Sequence, residues 1–345
     1  MPLRAASQCC SLAQVTRYLV TGGAGFIGSH LVEALLARGD EVFVLDTLST
    51  GRLSNLAGAR DNERLTFIQG SVLDELAVDE AVRRCDIVVH LAAAVGVKLI
   101  VEQPLYSLTT NIKGAIAVLE AAHRYRRKVM VASSSEIYGK NNAGTLDEQA
   151  DRVLGSLAVA RWAYSTSKAV DETFAYAYHR ERDLPSIVVR LFNTVGPRQS
   201  PAYGMVIPRL VRQALAGDPL TVFGDGTQTR CFCHVADVIN ALIGLLDEPR
   251  AIGEAFNVGS SEEISIEELA SRIIASTGSS SAIVHLPYDV AYEVGFEDMA
   301  RRVPDVSKIQ ALTGWRAKRQ LVDVLADVIA EARAEREALA LAGDE

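Results

Sequence analysis

The chain has 345 residues, 49% hydrophobic and 23% charged, an ordinary globular composition with material for one large core or two moderate ones. A net charge of −8 and a pI near 5.4 disfavour nucleic acid or an anionic membrane as main partner, so an anionic ligand must be held by locally placed arginines. The cysteines (Cys9, Cys10, Cys85, Cys231, Cys233) show no disulfide framework and no stretch approaches membrane-span length, which together point to the cytoplasm.

Residues 1–14 lack the apolar core of a signal peptide and read as a flexible tail. Tyr18-Leu19-Val20 then predicts a buried strand, followed by Gly22, Gly25 and Gly28 and by a helix over 29–38. Strand, glycine turn and helix in that order aim free N–H groups and the positive end of the helix dipole at one spot. That arrangement suits a pyrophosphate. Gly22 allows the tight turn, Gly25 the approach of the phosphates, and Gly28 close packing of helix on strand. A second strand over 41–46 ends in Asp46, roughly twenty residues past the glycines. A carboxylate there accepts from both ribose hydroxyls and repels a 2′-phosphate, which selects NAD over NADP. The bland alternative is a glycine-bearing turn with a surface aspartate.

Residues 47–64 read as a loop and 65–70 as a third strand, followed by Ser71 and Val72, placed to border the adenine. A helix over 75–84 leads to a fourth strand over 86–93. That strand ends in Leu91, Ala92 and Ala93, and small residues there leave room for a cofactor. A long helix over 105–125 carries Asn111, and a fifth strand over 128–135 runs into Ser133-Ser134-Ser135. After a loop over 140–161 come a helix over 164–182 and a sixth strand over 186–192. This alternation predicts an α/β, Rossmann-type doubly wound parallel sheet over 15–195. Shorter elements punctuated by Gly and Pro follow, and 196–345 reads mainly as a smaller substrate-binding domain. Within it, 230–257 returns to the first domain, and helices are expected over 265–276 and 321–341. Cys231-x-Cys233-His234 has no second ligand pair at zinc spacing, so no metal is expected.

Tyr164 and Lys168 lie four apart on one helix face. A lysine beside a phenol stabilises the phenolate and lowers its pKa toward neutrality, making Tyr164 a usable general base. In isolation such a pair is a surface contact. Downstream of a glycine-rich cofactor motif and a serine cluster, it reads as chemistry.

Gly22-x-x-Gly25-x-x-Gly28, Asp46, His90-Leu91-Ala92-Ala93, Asn111, Ser134, Tyr164 and Lys168 together resemble the extended short-chain dehydrogenase/reductases that modify nucleotide sugars. The resemblance spans about residues 17–320. It implies tightly held NAD, bound by Gly22, Gly25, Phe26, Ile27, Gly28, Asp46, Ser71, Val72, Leu91, Ala92, Ala93, Asn111, Tyr164 and Lys168. It also implies that Tyr164 takes the proton from the sugar O4 while C4 gives up hydride, with Ser134 bonding O4 and Ser135 beside it. Glu136 is the acid that dehydratases and glucuronate decarboxylases of this family carry for proton transfer at C5; simple 4-epimerases generally lack it.

Two segments, 190–198 and 224–230, look like the UDP-glucuronate decarboxylase versions. By that resemblance Asn193 and Arg230 bind the diphosphate and Arg302 faces the sugar carboxylate. Two departures stand out. Ser71 replaces the usual aspartate, and Ala92-Ala93-Ala94-Val95-Gly96 begins a loop unlike the Pro-rich one of typical decarboxylases. The resemblance thus implies a UDP-glucuronate decarboxylase yielding UDP-xylose or its 4-keto form. A UDP-glucose or UDP-glucuronate 4-epimerase and a 4,6-dehydratase are the alternatives within the family, and a non-catalytic NAD-binding sensor is the alternative outside it. A homodimer is also implied, pairing the helices over 105–125 and 164–182 into a four-helix bundle.

Overall fold

The computed structural model describes residues 15–141, 144–201, 205–287, 299 and 301–342. Its centre is a sheet of seven strands. In chain order these are β1 (Arg17–Thr21), β2 (Glu41–Asp46), β3 (Leu65–Gln69), β4 (Ile87–His90), β5 (Lys128–Ser134), β6 (Ser186–Leu191) and, after four short strands, β11 (Ala255–Val258). The spatial order is β11-β6-β5-β4-β1-β2-β3, and every pairing is parallel. Buried on both faces, β1, β2 and β5 read as near-continuous apolar runs, as a covered parallel sheet requires. The doubly wound sheet expected from the sequence is present.

Helices cover both faces. On one side α1 (Phe26–Arg38) and α7 (Val235–Asp247) share a core with β1 and β2 through Leu31, Leu35, Val238 and Leu242. On the other, α2 (Glu75–Arg84), α4 (Pro104–Arg124) and α5 (Trp162–Arg182) enclose a second core. A third core gathers α6 (Val206–Ala216), α8 (Ile266–Thr277) and the last helix, Leu321–Ala342, around β8 (Leu220–Phe223). No described helix is long and apolar enough to cross a membrane.

Two segments differ from expectation. The loop over 47–64 contains a 3₁₀ helix, Leu53–Ala59, because Leu56 and Ala59 bury themselves against the α1 side of the sheet. Within 230–257, the part that covers the sheet is the helix α7, and the strand that joins the sheet is β11, paired with β6. Apolar content marks both as core; only tertiary packing assigns one to a face and the other to an edge.

Candidate active site

A cavity of about 610 Å³ opens at the carboxyl ends of the strands, the place where ligands sit in open α/β sheets. Its first end is built by the glycine turn. Gly22 has φ +72°, and a Cβ on it would stand 2.8 Å from the Ala92 nitrogen; a Cβ on Gly28 would stand 2.2 Å from the Gly22 carbonyl oxygen. Only glycine fits at either place. Helix α1 starts at Gly25 with no side-chain cap and no acid in its first turn, leaving its N–H groups and dipole for an anion. Asp46 is buried at the end of β2, its Oδ2 accepting from Ala24 N at 2.9 Å and its Oδ1 from Leu48 N at 2.8 Å. Both oxygens are thereby fixed, with lone pairs left for hydroxyl donors. Phe26, Ile27, Ser71, Val72, Leu91, Ala92 and Ala93 line the same end. Cradle, helix terminus and carboxylate fit a dinucleotide.

Asn111 does not line the cavity. It is fully buried on α4, its Oδ1 accepting from Ala94 N at 2.8 Å and its Nδ2 donating to Ser167 Oγ at 3.1 Å. It pins the loop after β4 to α5 and so acts behind the wall rather than in it. His90, at the tip of β4, pairs its Nδ1 with Thr21 Oγ1 at 2.8 Å, and burial drives its pKa down to about 3.

At the other end, Tyr164 and Lys168 project from α5 beside the end of β5. Lys168 Nζ donates to the Ala132 carbonyl at 2.9 Å and to Asp171 Oδ2 at 3.1 Å. Tyr164 is hydrogen-bonded with Ser134, whose Oγ also accepts from Glu136 N at 3.2 Å. The expected lowering of the Tyr164 pKa is not what this environment produces. Burial pushes the phenol well above its ordinary value, the charges of Glu136 and Asp171 push the same way, and Ser134 and Arg161 oppose them.

Glu136 lies in the short 3₁₀ turn after β5. Arg161 grips both its oxygens, with Nη2 at 2.7 Å from Oε1, and Arg302 Nη1 donates to Oε1 at 3.2 Å and to Ser135 Oγ at 3.1 Å. Burial raises the Glu136 pKa, but the two guanidiniums outweigh it and hold it at about 2. At neutral pH it is a carboxylate. Arg161 escaped the sequence reading. Its signal was position: three residues before Tyr164, at the start of the same helix, it must share Tyr164's side of the cavity.

Asn193 and Arg230 line the cavity as well. Asn193 Nδ2 donates to the Cys231 carbonyl at 2.9 Å, and Arg230 Nη1 to the Thr229 carbonyl at 2.8 Å. The thiols of Cys231 and Cys233 are buried, which pushes their pKa values up and makes them inert. Of the residues expected to bind cofactor or substrate or to act in catalysis, all but Asn111 meet in this one cavity.

Comparison with known proteins agrees. Residues 18–259 match the NAD dependent epimerase/dehydratase family. The chain is 42% identical over 301 residues to a UDP-N-acetyl-alpha-D-glucosaminuronate decarboxylase from Bacillus cytotoxicus, covering 86% of this chain and 91% of that one. It is 35% identical over 299 residues to UDP-glucuronic acid decarboxylase 1 from Danio rerio, covering 87% and 68%. A crystal structure of UDP-glucuronic acid 4-epimerase from Bacillus cereus, in complex with UDP-glucuronic acid and NAD, superposes with a TM-score of 0.83 at 30% identity, covering 92% and 99%. The chain belongs to the NAD-dependent epimerase/dehydratase family.

Proposed function

We propose that this protein decarboxylates a UDP-linked hexuronic acid through a transient 4-keto sugar. One observation carries the reading: Arg302 and Glu136 are in ionic contact in the cavity wall, next to the Ser134–Tyr164 pair. A 4-epimerase needs no such carboxylate; removing CO2 requires proton control at C5 and a cation for the departing carboxylate.

Gly22, Gly25 and Gly28 with the α1 N-terminus would hold the pyrophosphate, and Asp46 and Lys168 the riboses, of bound NAD. NAD supplies the hydride acceptor that makes C4 a ketone and the donor that later restores it. Tyr164 takes the O4 proton, and Ser134 fixes that oxygen. With C4 a ketone, the substrate is a β-keto acid. The bond to the carboxylate breaks, its electron pair passes into the C4 oxygen beside Tyr164 and Ser134, and CO2 leaves. Arg302 orients the carboxylate beforehand through the fork geometry that suits such groups. Glu136, ionised at neutral pH, has no proton of its own to give, so it orients a water that relays to C5 the one proton that decarboxylation takes up from solvent. Asn193 and Arg230 receive the diphosphate.

The sequence points to UDP-glucuronate as substrate. A second reading, UDP-N-acetylglucosaminuronate, is favoured by the 42% identity to a decarboxylase of that name against 35% for the glucuronate enzyme. The test is to supply each sugar nucleotide to purified protein and follow CO2 release, product mass and C4 configuration. Loss of CO2 supports the proposal, and the faster substrate selects between the readings. An unchanged mass with inverted C4 overturns it in favour of an epimerase.

The same proposal includes a cytoplasmic homodimer built on α4 and α5, where Leu105 and Tyr176 remain exposed. Light scattering that returns a mass near 37 kDa would overturn the dimer.

A further inference from the structure

A buried group that this mechanism leaves unused is Asp171. It stands one turn beyond Lys168 on α5, fully buried and outside the cavity lining. Its Oδ2 accepts from Lys168 Nζ at 3.1 Å; among the described residues its Oδ1 accepts no hydrogen bond. A buried carboxylate with one unpaired oxygen is expensive to keep. Most other positions on this helix face solve burial with Ala, Ser or Trp.

We propose that Asp171 is a positioning residue that sets how much of the Lys168 charge reaches Tyr164, and so the pH at which the base forms. The Ala132 carbonyl and Asp171 take two of the three ammonium donors and fix its direction, leaving the third for the cavity side. With Asp171 in place, the cation behind the phenol is matched by an anion. Without it, Lys168 would present an uncompensated charge. Asp171 also acts on Tyr164 directly, since its charge opposes formation of the phenolate. The other groups facing the pair are Glu136, which opposes ionisation of Tyr164, Arg161, which favours it, and Ser134, which bonds it. His90 on β4 stays neutral beside Lys168, and Glu172 acts on Asp171 from the same helix.

The inference rests on Tyr164 and Lys168 as the proton-handling pair, whatever the fate of the sugar. The test uses Asp171→Asn holoenzyme, which keeps shape and removes charge. The tyrosinate absorbance is titrated without substrate, and the same titration in a Tyr164→Phe background isolates the Tyr164 signal. In parallel, the pH profile of kcat/KM is recorded. Removing a nearby anion favours the phenolate, so the midpoint and the acidic limb should both move down by about one pH unit. Asp171→Glu restores the charge and should return both toward the wild type. Asp171→Ser, a smaller neutral replacement, should repeat the downward shift. A rate lowered equally at every pH, with midpoint and limb unmoved, would reduce Asp171 to a structural residue. If Tyr164→Phe itself retained turnover, the error would lie in the assignment of the pair instead.

Discussion

Two buried arginine–glutamate clusters flank the end of β5, alike in chemistry and unlike in use. In one, Arg190 on β6 binds Glu172 on α5 through Nε at 3.0 Å and Nη2 at 2.8 Å, and its Nη1 donates to Tyr138 Oη and to the Glu148 carbonyl, each at 2.9 Å. Ser133 donates to the same Glu172, and Tyr138, pushed up to about 12 by burial, stays a neutral phenol that donates to Asn257. Arg190, Glu172 and Tyr138 do not reach the cavity. In the other cluster, Glu136, Arg161 and Arg302 all form its wall. Closed between sheet and helix, the first cluster can only hold β5, β6 and α5 together. Set in the wall, the second can trade contacts with a ligand. Buried charge becomes chemistry only where a substrate can compete for it.

The comparison breaks most visibly through the inner pair. Arg190→Met strands the Glu172 carboxylate and should cost about 3–5 kcal/mol of stability in urea unfolding. Whatever remains folded should still release CO2 in the same proportion to 4-keto product. A changed proportion would mean that the inner cluster reaches the chemistry after all. The wall cluster should answer in the opposite sense. Arg302→Leu leaves Arg161 on Glu136, so stability should fall by only about 1 kcal/mol. CO2 release should drop roughly 100-fold, about 2.7 kcal/mol in the barrier, while oxidation at C4 persists as NADH absorbance. Equal loss of both steps would place Arg302 in general binding rather than at the carboxylate. Tyr164→Phe sharpens the same contrast: it belongs to neither cluster, and it should remove both steps by at least about 100-fold while NAD stays bound.

The cofactor end was legible because it is local. Gly22, Gly25, Gly28 and Asp46 lie within one strand–helix–strand unit, so their spacing is visible along the chain. Tyr164 and Lys168 were legible for the same reason, being one helical turn apart. Asn111 shows the limit of that reasoning. Sequence places a polar residue at the right depth on α4, but packing decides whether it faces the ligand or the loop behind it. The wall cluster lay beyond residue patterning, since Glu136, Arg161 and Arg302 come from three elements separated by as many as 166 positions. Resemblance supplied Glu136 and Arg302. Arg161 has no motif of its own beyond its place one turn before Tyr164, and the start of α5 beside the 3₁₀ turn brings it to Glu136. The Tyr164 pKa differs from expectation for a related reason: the pattern shows the lysine but not the burial, nor the charges of Glu136 and Asp171, that push the phenol up.

The smallest expected effect isolates the wall cluster by pH. Glu136 is held at about 2 in the folded protein, below its ordinary carboxylate value, by Arg161 and Arg302 against the opposing effect of burial. A folded-state pKa below the unfolded one contributes stability that is complete above the ordinary carboxylate range. That contribution is lost as the pH falls toward 2. Wild-type protein should therefore lose stability between pH 6 and pH 3.5 that Glu136→Gln does not lose. The difference is on the order of 1 kcal/mol, because only part of the window is crossed. Urea unfolding of both proteins at the two pH values measures it. A gap that narrows on acidification places an ionised Glu136 between its two arginines. A gap that stays constant would mean that Glu136 titrates alike in the folded and unfolded chain. A gap that widens, the wild type gaining stability on acidification, would mean a carboxyl still protonated at pH 6 and would restore to Glu136 the role of proton donor that its guanidinium partners deny it.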